Sequence, residues 1–179
     1  MLHKRIFLNH SVKIFILASI FFSGQGFAQS SPFLNPPSSF SPKLQIESLI
    51  NKNPVSPGES FRIYLSVQIE EGWHVYALKP LPGNELLATQ IVLEDHAFEE
   101  VTVWQESPVS LIQDDALEKM VKGHTLTAEF YTNLNVPTEF RSGRYTLNGH
   151  LLFKACDNKL CTLPQRLPFA SSVSVSKTD

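Results

Sequence analysis

The sequence predicts an all-β domain built as an antiparallel sandwich, on three observations. Apolar and polar residues alternate at Ser60–Ile69, turn residues punctuate the chain at short intervals, and helix-forming composition is almost absent. At Ser60–Ile69, Phe61, Ile63, Leu65, Val67 and Ile69 share one pleat face, while Arg62, Tyr64, Ser66 and Gln68 share the other. Pro57-Gly58 stands before this run and Glu70-Glu71-Gly72 after it, so residues 73–77 read as a strand returning across a turn.

Taken in chain order, residues 1–28 read as an address rather than as fold. Lys4, Arg5 and Lys13 make a basic start, residues 14–22 are a short apolar run, and Gly26 and Ala28 occupy the positions a signal peptidase reads. Cleavage is expected after about Ala28. The apolar run is about half the length a membrane-spanning helix needs, so a retained anchor is the weaker reading. The first cysteine of the chain is Cys156, so nothing follows the run that could carry a lipid anchor. Residues 29–42 are uncharged and rich in Ser and Pro, the composition of an extended linker. The folded domain is expected over residues 43–179.

Within it, residues 44–49 are the first strand, Ser60–Ile69 the second and residues 73–77 the third. Residues 79–87 (KPLPGNELL) hold too much Pro and Gly for a strand and read as a surface loop. Strands are expected next at Gln90–Leu93 and at residues 101–104. Residues 114–121 (DDALEKMV) alone have helix-forming composition, over a short length. Further strands are expected at residues 126–132, 144–153 and 166–175. Eight or so short strands with spaced turns suit an immunoglobulin-like architecture. No internal repeat is present, and no second apolar stretch approaches membrane length.

Removing residues 1–28 takes away three basic side chains and no acidic one. Twelve basic and seventeen acidic side chains remain, a charge of −5. A mildly acidic domain of this kind has no basic face for nucleic acid or anionic lipid. Both cysteines lie in the exported part, where disulfides form and persist. Hydrolase chemistry is not expected, since no Gly-x-Ser-x-Gly elbow exists. His74, His96, His124 and His150 fall in separate segments. A zinc set of Cys156, Cys161, His150 and one more ligand lacks tight spacing, so neither metal nor organic cofactor is expected. Trp73, Tyr76 and Trp104 read first as core or strand-pairing aromatics.

The chemistry points to residues 153–164 (FKACDNKLCTLP). Fully extended, residues five apart stand about 16 Å from each other. A disulfide needs its Cα atoms within about 4.4–6.8 Å. The segment must therefore reverse, and Asp157, Asn158 and Lys159 are residues that permit a reversal. A four-residue hairpin loop puts Cys156 and Cys161 opposite each other at its base, at a polar, exposed tip and at similar depth. Two readings remain open here. One is a structural staple in a binding or assembly module, although closing so small a loop contributes only about 2 kcal/mol. The other is a redox-active pair, in which an accessible sulfur accepts a partner's thiolate and its neighbour resolves the mixed disulfide.

Glu71-Gly72-Trp73-His74-Val75-Tyr76, following an alternating strand, and Ala155-Cys156-Asp157-Asn158-Lys159-Leu160-Cys161, followed by Pro164, resemble the N-terminal periplasmic domain of the thiol–disulfide interchange protein DsbD. Pro57-Gly58-Glu59 fits as well, and the resemblance covers residues 43–176. It implies an immunoglobulin-like fold in the periplasm whose cysteine pair, here Cys156 and Cys161, relays electrons without a cofactor. The implied partners are a membrane-embedded thiol-electron transporter and thioredoxin-like periplasmic proteins, both separate chains if this one ends at Asp179. Family members shield the pair with a cap loop of acidic and aromatic residues; residues 107–117 supply Asp114 and Asp115 but no aromatic. Lys159 favours a thiolate near Cys161 and Asp157 disfavours one at Cys156, so Cys161 is the sulfur expected to bond a partner.

Overall fold

The computed structural model describes residues 42–177. The expected signal peptide, and the linker up to residue 41, lie outside them. Twelve strands run through the described part: β1 (Leu44–Ile50), β2 (Ser60–Ile69), β3 (His74–Tyr76), β4 (Gln90–Leu93), β5 (Glu99–Glu100) and β6 (Gln105–Glu106), then β7 (Ser110–Asp114), β8 (Lys119–Thr125), β9 (Thr127–Asn135), β10 (Gly143–Phe153), β11 (Ala155–Cys156) and β12 (Gln165–Val175). The helical content among these residues is one turn of 3₁₀ at Glu85–Leu87.

The strands form three antiparallel sheets. One has the order β1-β2-β9-β5, with β6 also pairing β9; the second is β12-β10-β4; the third is β11-β3-β8-β7. Alternation in the sequence becomes layering here. Phe61, Ile63, Leu65 and Val67 of β2 join Ala128, Phe130 and Leu134 of β9 in one core with Leu147, Leu151 and Phe153 of β10 and Phe169, Val173 and Val175 of β12. The fold class is therefore the all-β antiparallel sandwich of the sequence reading. The Asn53 carboxamide stitches the edges, donating to the Ser172 carbonyl and accepting from the Ser174 amide.

Two expected elements differ. Residues 114–121 form no helix: Asp114 ends β7, residues 115–118 turn, and β8 begins at Lys119. Eight residues are too few to offset the cost of nucleating a helix. Across the turn, exposed Met120 and buried Val121 alternate as strand residues do. Residues 101–104 form no strand either. The chain pairs with β9 on both sides of them, at β5 and β6, while the Thr102 hydroxyl accepts from the Asn133 amide. Val101 and Val103 point outward, which is why an apolar alternation misleads here.

The third sheet positions the cysteines. After Phe153 the chain leaves β10, and Ala155–Cys156 pairs with β3, setting Cys156 opposite His74. On its other side β3 pairs with β8, where Gly123 faces Tyr76. A Cβ at Gly123 would overlap the Val75 carbonyl, so glycine is what lets these two strands approach.

Candidate functional site

Cys156 and Cys161 are joined by a disulfide, with Cα atoms 4.0 Å apart, across an antiparallel bridge. Asp157 builds the reversal between them. Its Oδ1 accepts from the amides of Lys159 (2.7 Å) and Leu160 (2.8 Å), and its own amide donates to the Leu160 carbonyl. The Leu160 amide leads in holding its carboxyl below the ordinary range, with help from the Lys159 amide and charge. The loop's base is closed by Ala155 and Thr162. The Thr162 amide donates to the Ala155 carbonyl, and the Ala155 amide to the Thr162 hydroxyl.

The two sulfurs are not at similar depth, and the site is no simple exposed tip. Cys156 is wholly buried, whereas Cys161 is only partly buried. The reason is topological: β11 is covered by β3 on one side, while Cys161, bridged to Cys156 on the other, lies at the outer edge of the sheet. Leu87, Ile112 and Leu117 pack around Cys156, Tyr76 and Val121 in a small apolar cluster that includes Cys161. Leu117 comes from the β7–β8 turn, so the segment without an aromatic still lays a side chain against the pair.

Three polar groups converge on the buried sulfur. The Tyr76 hydroxyl stands 2.6 Å from Cys156 Sγ and 3.7 Å from Cys161 Sγ, and donates to Asp114 Oδ2 at 2.7 Å. His74 Nε2 lies 3.2 Å from the same carboxylate oxygen. The other oxygen of Asp114 accepts from the Leu117 amide at 2.9 Å. Burial, reinforced by the Asp114 carboxylate, pushes the Tyr76 phenol far above its ordinary pKa, so it remains a hydrogen-bond donor. His74 and Tyr76 reach this place together because residues two apart on a strand share a face.

From the sequence Tyr76 reads as a core aromatic, which it is, though its hydroxyl also faces the sulfurs, and the histidines read as scattered residues. The signal that could have exposed them is a His and a Tyr alternating within a short strand whose intervening residue is also apolar. Asp114 could not be found in this way, since it enters from another hairpin. His150 is elsewhere, on β10 opposite Pro168 and Val92. Trp73 and Trp104 are partly buried against the main core.

A second histidine–carboxylate pair joins buried His124 of β8 to partly buried Glu106 of β6. Glu106 accepts from His124 Nε2 (3.0 Å) and from the amides of Leu78 (2.8 Å) and Lys79 (3.3 Å), holding the start of the 78–89 loop. Burial pushes its carboxyl up, but the His124 contact and the two amides outweigh this and leave it below the ordinary 4.5. A carboxylate with a depressed folded pKa stabilises fully above its unfolded value and loses that contribution as pH falls through the folded one. Thermal melting from pH 6 to pH 3 should therefore show a steeper loss below about pH 4.5 for the wild type than for Glu106→Gln. Parallel curves would refute the assignment.

The family described as "Thiol:disulfide interchange protein DsbD, N-terminal" matches residues 44–171. Among solved structures, the N-terminal periplasmic domain of ScsB from Proteus mirabilis is similar at 19% identity and a TM-score of 0.49. The alignment covers 71% of this chain and 45% of that one. A family 123 glycoside hydrolase from Clostridium perfringens is similar at 9% identity and a TM-score of 0.36, over 73% of this chain and 27% of that one. No curated protein matches the chain.

Proposed function

The chain belongs to the family of DsbD N-terminal domains, and from that premise we propose that it is a periplasmic thiol–disulfide exchange module working through Cys156 and Cys161. Thiol–disulfide interchange is the activity of the family. The assignment to these two sulfurs rests above all on their unequal burial, one sealed beside Tyr76 and Asp114 and the other reaching the surface in part.

In the oxidised chain, a partner's thiolate attacks Cys161 Sγ and the disulfide breaks. The electron pair leaves on Cys156 Sγ, which takes up a proton. Tyr76 stands within reach of that sulfur, and its hydroxyl hydrogen-bonds to Asp114. The partner's second thiol then attacks the mixed disulfide and frees Cys161. The partner dithiol has become a disulfide, and two electrons and two protons have passed to this chain. Delivery to a client runs in reverse, with Cys161 attacking and Cys156 resolving. Cys156 lies buried beside Tyr76 and Asp114. Asp157, expected from the sequence to act on the Cys156 sulfur, spends its carboxylate on its own turn.

The proposed partners are a membrane thiol-electron transporter and thioredoxin-like proteins of the periplasm. Export would follow from residues 1–28, with residues 29–42 as a linker to the domain. Among the described residues, no helix is long and apolar enough to cross a membrane. Equilibration of the chain in dithiothreitol buffers tests the reading. A relay pair should show a potential above about −300 mV, whereas a value well below it would mark a static staple.

A further inference from the structure

We propose that the reduced chain holds a zinc ion on His74, Asp114, Cys156 and Cys161, a site that opens only when the disulfide is cut. Ligating atoms of His74, Asp114 and Cys156 all lie within 4.8 Å of one another, and all three residues are buried. Tetrahedral zinc binds nitrogen and oxygen at about 2.0–2.2 Å and sulfur at about 2.3 Å, which sets neighbouring ligands roughly 3.3–3.7 Å apart. His74 Nε2 and Asp114 Oδ2 already stand 3.2 Å apart. That one edge of the cluster is therefore already at zinc-shell spacing, and the Cys156 sulfur, within 4.8 Å of both atoms, needs to move by no more than about 1 Å to join it.

Cys161 completes the set, because it is the bonding partner of Cys156 and is released beside it on reduction. Two thiolates, one imidazole and one carboxylate make a borderline-soft set suited to zinc rather than to magnesium or calcium. The surroundings hold the ligands in place. Leu117 fixes one oxygen of Asp114 and Tyr76 donates to the other, while the rings of His74 and Tyr76 pack edge to face at 5.5 Å. Such outer contacts commonly change metal affinity by about 10- to 100-fold. No short sequence motif announces the site, since its ligands come from β3, β7, β11 and the turn beyond.

The chemistry balances without a redox change at the metal. A dithiol partner first reduces the disulfide. Zinc then displaces one proton from each thiol, giving the bis-thiolate complex and two protons. While zinc is bound neither sulfur can attack, so the metal holds the chain reduced and blocks exchange.

The full chain should be reduced with a phosphine, freed of it without oxygen, and titrated with Zn²⁺ against a chromophoric chelator. The expected result is one zinc per reduced chain and none for the disulfide form. His74→Gln and Asp114→Asn should each weaken binding about tenfold or more. X-ray absorption on the wild-type complex should give two sulfur and two nitrogen or oxygen neighbours. That measurement decides the case even if Asp114→Asn fails to fold. An all-sulfur shell, unchanged affinity in both variants, or no zinc uptake would overturn the proposal. It rests on the pair being reducible, which the phosphine secures without any protein partner. Its failure therefore leaves the exchange reading standing, and failure of exchange would not prevent zinc binding.

Discussion

Cys156→Ser should trap a partner protein as a covalent mixed disulfide, while Cys161→Ser should trap none. In the serine variant Cys161, the less buried sulfur, can still attack a client disulfide, but no neighbouring thiol remains to release it. In the reverse variant the surviving thiol lies wholly buried against Tyr76, out of reach of another protein's disulfide. Either change should abolish turnover. Non-reducing gels of acid-quenched extracts would read the result. Trapping confined to Cys161→Ser would reverse the roles of the two sulfurs, and no trapping in either variant would count against exchange. The double serine variant should remain folded, with a loss of no more than about 2 kcal/mol, because the disulfide closes a loop of only four intervening residues.

Phe130→Ala should produce the largest loss of stability, about 3–5 kcal/mol. The ring is fully buried on β9, between β2 and the short strands β5 and β6, at the centre of the main core. It also packs edge to face on His124, at 5.6 Å, and His124 in turn holds Glu106. Truncation therefore leaves a cavity and loosens that polar pair. Against a total stability of about 5–15 kcal/mol, such a loss is a large fraction. Leu163→Ala is the control: its side chain is 84% exposed, and the change should stay within about 0.5 kcal/mol. Denaturant unfolding of the two variants would show the contrast, and similar midpoints would show that the core is misassigned.

What the residues determined alone was whatever one strand or one loop decides. The alternation at Ser60–Ile69 predicts β2 with its bounds, because a strand with one buried face must place apolar side chains at every second position. The Asp-Asn-Lys reversal between the cysteines was equally legible. An Asp accepting from amides two and three residues on is a local device that needs no help from the rest of the fold.

What only the tertiary structure decided was everything that depends on which strands become neighbours. Local composition at residues 114–121 favours a helix, yet pairing of β7 with β8 makes a hairpin and delivers Asp114 to the site. The depth of the two sulfurs follows from β11 joining β3, an event that nothing within residues 153–164 encodes. His74 and Asp114 are 40 residues apart in the chain and 3.2 Å apart in space. Covalent neighbours set a residue's backbone preferences, but its chemical environment comes from side chains that folding brings in from distant strands. For that reason the cysteine pair could be read from the sequence, the tyrosine and histidine beside it showed only as an alternation within one short strand, and the aspartate did not show at all.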